Sequence, residues 1–126
     1  MLYRILAGLV AAVMAITAIT WVFDPPAAAM SLGMPYLEGM GRSSQIGDVG
    51  ALFMFMVIMC VMGAITRVGH YLQSAGLVLL LIAIFRTLAW AVYDAELAGL
   101  FIAVELVCAA VLFFSASRIG RRADLI

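Results

Sequence analysis

Residues 71–93 read YLQSAGLVLLLIAIFRTLAWAVY, and residues 97–117 read LAGLFIAVELVCAAVLFFSAS. At about 1.5 Å per residue, each run is long enough to cross the roughly 30 Å hydrocarbon core of a bilayer as one helix. Only Asp94, Ala95 and Glu96 lie between them. The pair therefore reads as two consecutive antiparallel spans joined by a tight acidic turn. Each span carries one charge well inside it, Arg86 in the first and Glu105 in the second.

Two further apolar runs lie upstream, at 48–66 and 3–23. The polar turn holding Arg67, Gly69 and His70 precedes the run at 71–93, with Gln73 just inside it. The first run could pass for a secretory signal, with Arg4 as its charge and Ala27-Ala28-Ala29 as a cleavage-like site. It is about twice as long as a usual signal core, which favours an uncleaved span. The composition agrees: 67% of residues are hydrophobic and 11% charged, with a mean hydropathy of +1.22. So few charges cannot coat a soluble domain of this length. The sequence thus predicts an all-α protein, a transmembrane four-helix bundle forming one domain over 1–126. The spans fall at about 3–23, 48–66, 71–93 and 97–117.

The connection at 24–47 is the long one. Asp24-Pro25-Pro26 closes the first span, since proline cannot continue a helix but suits the first turn of a new one. Asp24 can cap that turn, giving a short interfacial helix over 27–32. Gly33, Pro35, Gly39 and Gly41 are then expected to break regular structure. Met30, Leu32, Met34, Tyr36, Leu37 and Met40 make the segment too apolar for a free linker. It is expected to lie on the membrane surface or to tuck into the bundle.

Arginine placement sets the orientation. Arg4, Arg67, Arg118, Arg121 and Arg122 fall on one side; Arg42 stands alone on the other, with Asp24, Glu38, Asp94 and Glu96. This predicts a multi-pass protein of a bacterial inner membrane with both termini in the cytoplasm. Trp21, Tyr36, Trp90 and Tyr93 then lie near the outer boundary, as an aromatic belt does. Small residues share faces of the first span, Gly8 with Ala12 and Ala11 with Ala15, a pattern suited to close helix contact within or between subunits.

Arg86 lies about 10 Å from the outer end of its span, and Glu105 about 12 Å from the same end of the next. Charges at such depth are costly and are usually paired or turned toward a cavity. A salt bridge between Arg86 and Glu105 is predicted. Asp48, Arg42 and Gln45 are expected nearby, Asp48 as a second carboxylate on the guanidinium, with hydroxyls from Thr17 and Thr87. Two readings of this cluster stand side by side. One is a structural ion pair that fixes helix register. The other is a polar pocket for an anionic or polar headgroup, or for a proton-coupled carboxylate.

Other constellations are weak. Cys60 and Cys108 read as small buried hydrophobes without the paired spacing of a zinc or redox site. Met54, Met56, Met59 and Met62 read as packing rather than copper ligands. His70 reads as a solvated turn residue, and Asp94 with Glu96 as a turn that caps the last span. No metal, cofactor or nucleic acid is indicated, and no catalytic motif is present.

Asp24-Pro25 with Leu32-Gly33-Met34, Ile84-Phe85-Arg86 ahead of Asp94, and Val104-Glu105-Leu106 give the chain a resemblance. It resembles an uncharacterised family of small bacterial four-helix membrane proteins, loosely similar to the DoxX-like group. Phe85 stands where that family is expected to carry glycine. The resemblance implies a four-helix bundle and no activity. Small multidrug transporters have a glutamate in their first span, whereas no acidic residue precedes Asp24 here.

The leading expectation is a non-enzymatic accessory, scaffold or binding subunit of a membrane assembly. Membrane lipid is its partner, with homo-oligomer and larger complex both open. The alternative is binding or transport of a lipid or small molecule through the Arg86–Glu105 pocket. A membrane enzyme using Asp48 and Glu105 as acid and base comes last.

Overall fold

The computed structural model describes residues 1–123, with side chains through Ile119. The side chains of Arg121 and Arg122 lie outside the described residues. The described chain is helical, in the order α1 (Leu2–Phe23), α2 (Pro25–Ser31), α3 (Gly39–Ser44), a π-helical segment (Gln45–Gly50), α4 (Ala51–Thr66), α5 (Gly69–Val92) and α6 (Gly99–Ala123). Four helices are long and apolar enough to cross a membrane: Leu2–Phe23, Gly39–Thr66, Gly69–Val92 and Gly99–Ile119.

α1 packs beside α4 and α6, and α5 packs beside the same two helices. The result is an up-and-down bundle in which chain neighbours are spatial neighbours. One end holds the start of α1, the α4–α5 turn and the close of α6. There Arg4 Nε donates to the Ala64 carbonyl at 2.7 Å, and the Tyr3 and Phe114 rings meet edge to face at 5.7 Å. The opposite end, here the connection end, holds α2 and the turn between α5 and α6.

The core is built of small and flexible side chains. Ala7, Val10, Ala11 and Met14 of α1 meet Met56 and Cys60 of α4, Leu72 and Leu79 of α5, and Leu112 of α6. Large apolar side chains face outward instead, among them Leu9, Ile16, Leu81, Phe85 and Val107. That distribution suits a lipid solvent and would be a liability in water. The two small-residue faces of α1 part company. Ala11 is buried in the core, while a Cβ on Gly8 would meet nothing within 4 Å.

Asp24 ends α1 and starts α2. Its backbone N–H donates to Thr20, and its carboxylate accepts from the Ala27 amide at 3.4 Å, with proline next in sequence. α2 folds back so that Ala28 and Ala29 pack on Trp21, with Leu32, Met34, Tyr36 and Val49 around them. The connection is thus tucked into the bundle end. Gly33, at φ 76°, turns the chain out of α2.

One boundary departs from the sequence expectation. Glycine and proline break the chain only as far as Glu38, and helix resumes at Gly39 rather than at Asp48. Gly41, Gly47 and Gly50 lie inside it. In lipid, a helix satisfies its own backbone groups, which outweighs the cost of about 1 kcal/mol per helical glycine. Gly50 also serves packing, because a Cβ there would come within 3.2 Å of the Trp21 Cβ. At the far turn, Asp94 adopts φ 57° and α6 begins only at Gly99, so neither Asp94 nor Glu96 caps that helix.

Candidate functional site

Arg86 lies on α5 about 9 Å from its end at Val92, and Glu105 lies about 9 Å into α6 from Gly99. Equal depth on antiparallel neighbours brings the side chains together. Arg86 Nε donates to Glu105 Oε1 at 2.8 Å. Phe101 precedes Glu105 by one helical turn and so shares its face. Its ring centroid lies 4.8 Å from the guanidinium carbon. One carboxylate and one ring therefore hold the arginine head.

The pair does not use up its bonding capacity. A guanidinium has five N–H donors, and only the one on Nε is engaged by the described residues. The Nη1 and Nη2 groups make no hydrogen bond to them. Glu105 is 9% exposed, and its Oε2 is buried without a hydrogen-bond partner. A buried acceptor left so costs about 1–3 kcal/mol, and more when charged.

Both residues line a cavity of about 260 Å³ that also touches Met14, Thr17, Ser31 and Leu32. A second cavity, of about 270 Å³, adjoins it and reaches Met34, Val49 and Leu52. Leu32, Phe53, Ile82, Arg86 and Glu105 belong to both walls. The connection after α2 thus roofs a polar pair set among apolar side chains, and the α1, α4, α5 and α6 helices form its sides.

The other residues expected around Arg86 sit elsewhere. Gln45 is buried, but it clamps the connection: Oε1 accepts from the Leu37 amide at 2.9 Å and Nε2 donates to the Pro35 carbonyl at 2.9 Å. Arg42 Nε donates to the Leu37 carbonyl at 2.9 Å, and its head stacks 4.2 Å from the Tyr36 ring centroid. Asp48 is exposed and makes no hydrogen bond or ion pair with Arg86 among the described residues. The early helix start explains this, because Arg42, Gln45 and Asp48 lie on helical turns whose faces are set by the connection. Thr17 does line the cavity. Thr87 instead donates to the Ala83 carbonyl of its own helix at 2.9 Å.

Ser31 and Phe53 line the cavity without a sequence signal, whereas Leu32 belongs to the connection expected to tuck into the bundle. The spacing from Phe101 to Glu105 was a usable signal for the stacked ring. That the connection tucks in follows from its apolar residues, but which of them roof the site depends on α2 folding back onto Trp21.

The remaining candidate groups stay apart from this site. His70 Nδ1 lies 3.1 Å from Gln73 Oε1 at the opposite end, Cys60 is buried in the core, and both cysteines are free. Met56 is buried while Met54 and Met62 are exposed, so these methionines do not converge.

No known protein family, curated protein or solved structure matches the chain. The DoxX-like resemblance accordingly has no support beyond the residues that suggested it.

Proposed function

We propose that this small membrane protein is a non-enzymatic binding component whose cavity takes an oxyanion: a small acid or an acidic lipid head. The observation that carries this reading is the guanidinium with one of its five donors engaged. Glu105 holds Arg86 through Nε alone, while Nη1 and Nη2 lack protein acceptors beside two connected cavities. The edge formed by the two Nη groups suits two parallel hydrogen bonds to a carboxylate or phosphate. An ion pair serving only to fix register would gain by satisfying its donors internally. Glu105 is the positioning residue, and Arg86 is the anchor that touches the ligand.

By the arginine distribution, the end holding Arg4, Arg67 and Arg118 faces the cytoplasm of a bacterial cell. The cavity then opens in the outer half of the inner membrane. Binding of this kind suits an accessory subunit that presents or stores a ligand for a larger assembly.

Native mass spectrometry of protein released directly from membranes tests the proposal. Wild type is expected to retain an acidic adduct that is lost in Arg86→Gln. Identical adduct profiles in the two proteins would overturn it.

A further inference from the structure

Threonine occurs in the described helices at 17, 20, 66 and 87. Thr20, Thr66 and Thr87 spend their hydroxyls on their own helix, donating to the carbonyls of Ile16, Met62 and Ala83 one turn back. That is the ordinary fate of a helical threonine with no other partner. Thr17 departs from it and makes no hydrogen bond among the described residues. Nor is its hydroxyl sealed in apolar packing, as that of Ser115 is.

Thr17 lines the same 260 Å³ cavity as Arg86 and Glu105. It lies about 9 Å from the end of α1 at Phe23, the depth of the ion pair on α5 and α6. α1 and α5 are diagonal across the bundle, so Thr17 and Arg86 approach the cavity from different sides. The other hydroxyl of the wall is already committed, because Ser31 donates to the Ala28 carbonyl at 2.8 Å. Met14, Phe53, Leu79 and Ile82 make much of the remaining wall apolar. The cavity thus offers an anion anchor, one free hydroxyl that can donate and accept, and hydrocarbon between them.

Resting on the binding function proposed above, we infer that the ligand is a hydroxylated oxyanion whose hydroxyl pairs with Thr17 while its acid group sits on Arg86. A bare oxyanion would leave the Thr17 hydroxyl unpaired among apolar side chains, which is costly. A ligand with its own hydroxyl satisfies both groups of the cavity at once. Thr17 is then the residue that sets specificity, and Arg86 the one that sets affinity for the charge. A free hydroxy acid or glycerol phosphate carries this chemistry, and so does the glycerol phosphate head of a lipid.

The experiment uses the full chain in nanodiscs of zwitterionic lipid and ligands in matched pairs. Glycerol phosphate is set against propyl phosphate, and glycerate against propanoate, by titration. Phosphatidylglycerol is set against phosphatidylpropanol by native mass spectrometry. Within each pair the members differ only in hydroxyls. In at least one pair, wild type is expected to bind the hydroxylated member about fivefold more tightly, as one further hydrogen bond allows. Thr17→Val keeps the shape of the side chain and removes only the hydroxyl. It should abolish that preference and leave the hydroxyl-free member bound as in wild type. Arg86→Gln should weaken both members together. Circular dichroism checks that each variant stays folded. The pair that discriminates identifies the source: a short pair means a free acid, the lipid pair a headgroup. Absence of any preference in wild type, or a preference that survives Thr17→Val, overturns the hydroxyl assignment. If the hydroxyl-free members still bind in an Arg86-dependent way, the oxyanion site stands without it. If no probe depends on Arg86, both readings fall together.

Discussion

The Arg86–Glu105 contact can be weighed by its two single replacements and its double one. Arg86→Met leaves a carboxylate at 9% exposure with neither oxygen paired. Breaking a buried pair from one side costs about 3 kcal/mol or more. Arg86 is partly open, at 28% for its side chain, so Glu105→Leu should cost less than Arg86→Met. Replacing both partners by apolar residues is often neutral or stabilising. The double variant Arg86→Met/Glu105→Leu is therefore expected to unfold at a detergent concentration close to that of wild type. SDS titration followed by circular dichroism reads all four proteins. Additive losses in the double variant would show that the two groups are not energetically coupled. The same variant should retain no acidic adduct, which separates a fold that survives from a site that does not.

Among the helices, glycine has opposite meanings at different positions. A Cβ on Gly69 would lie 2.7 Å from the Ala116 carbonyl oxygen, a backbone atom that cannot swing aside. Gly69→Ala must push the start of α5 from the close of α6, and a loss of about 1–3 kcal/mol is expected. Gly8→Ala meets no atom within 4 Å and gains up to about 1 kcal/mol of helix propensity. The order of stability Gly8→Ala, wild type, Gly69→Ala in SDS titration checks both. The connection makes a separate case. Gln45→Leu removes the acceptor for the Leu37 amide and the donor to Pro35, so hydrogen exchange should quicken at 36–38 and stay unchanged in α5. These contrasts also show what the sequence could carry. Apolar length fixed the four spans, and equal depth placed Arg86 opposite Glu105, because both follow from helix rise alone. The start of the second membrane helix did not follow. In a soluble chain Gly41 would be expected to break a helix; near lipid the backbone's need for internal hydrogen bonds carries helix through it, from a start at Gly39, whose φ of 55° opens the segment. The same shift turned Arg42, Gln45 and Asp48 away from Arg86, a tertiary outcome that no local pattern in 39–50 encodes.

Across the whole molecule, the two ends differ in charge. Arg4 and Arg67 lie at the end with the α4–α5 turn, and Gly69 sits against Ala116 there, two residues before Arg118. Asp24, Glu38, Asp48, Asp94 and Glu96 gather at the connection end around a single arginine, Arg42. That cation is engaged by the Leu37 carbonyl and the Tyr36 ring. Short loops carrying arginine are retained in the cytoplasm, and acidic residues count for little in that choice. Labelling with a membrane-impermeant maleimide tests the resulting orientation. In a Cys60→Ala/Cys108→Ala background, Ser43→Cys should react in intact spheroplasts and His70→Cys only after permeabilisation. Ser43 and His70 are both exposed at opposite ends, so unequal labelling reports side rather than burial. The reverse pattern would put the Arg86 cavity in the cytoplasmic leaflet.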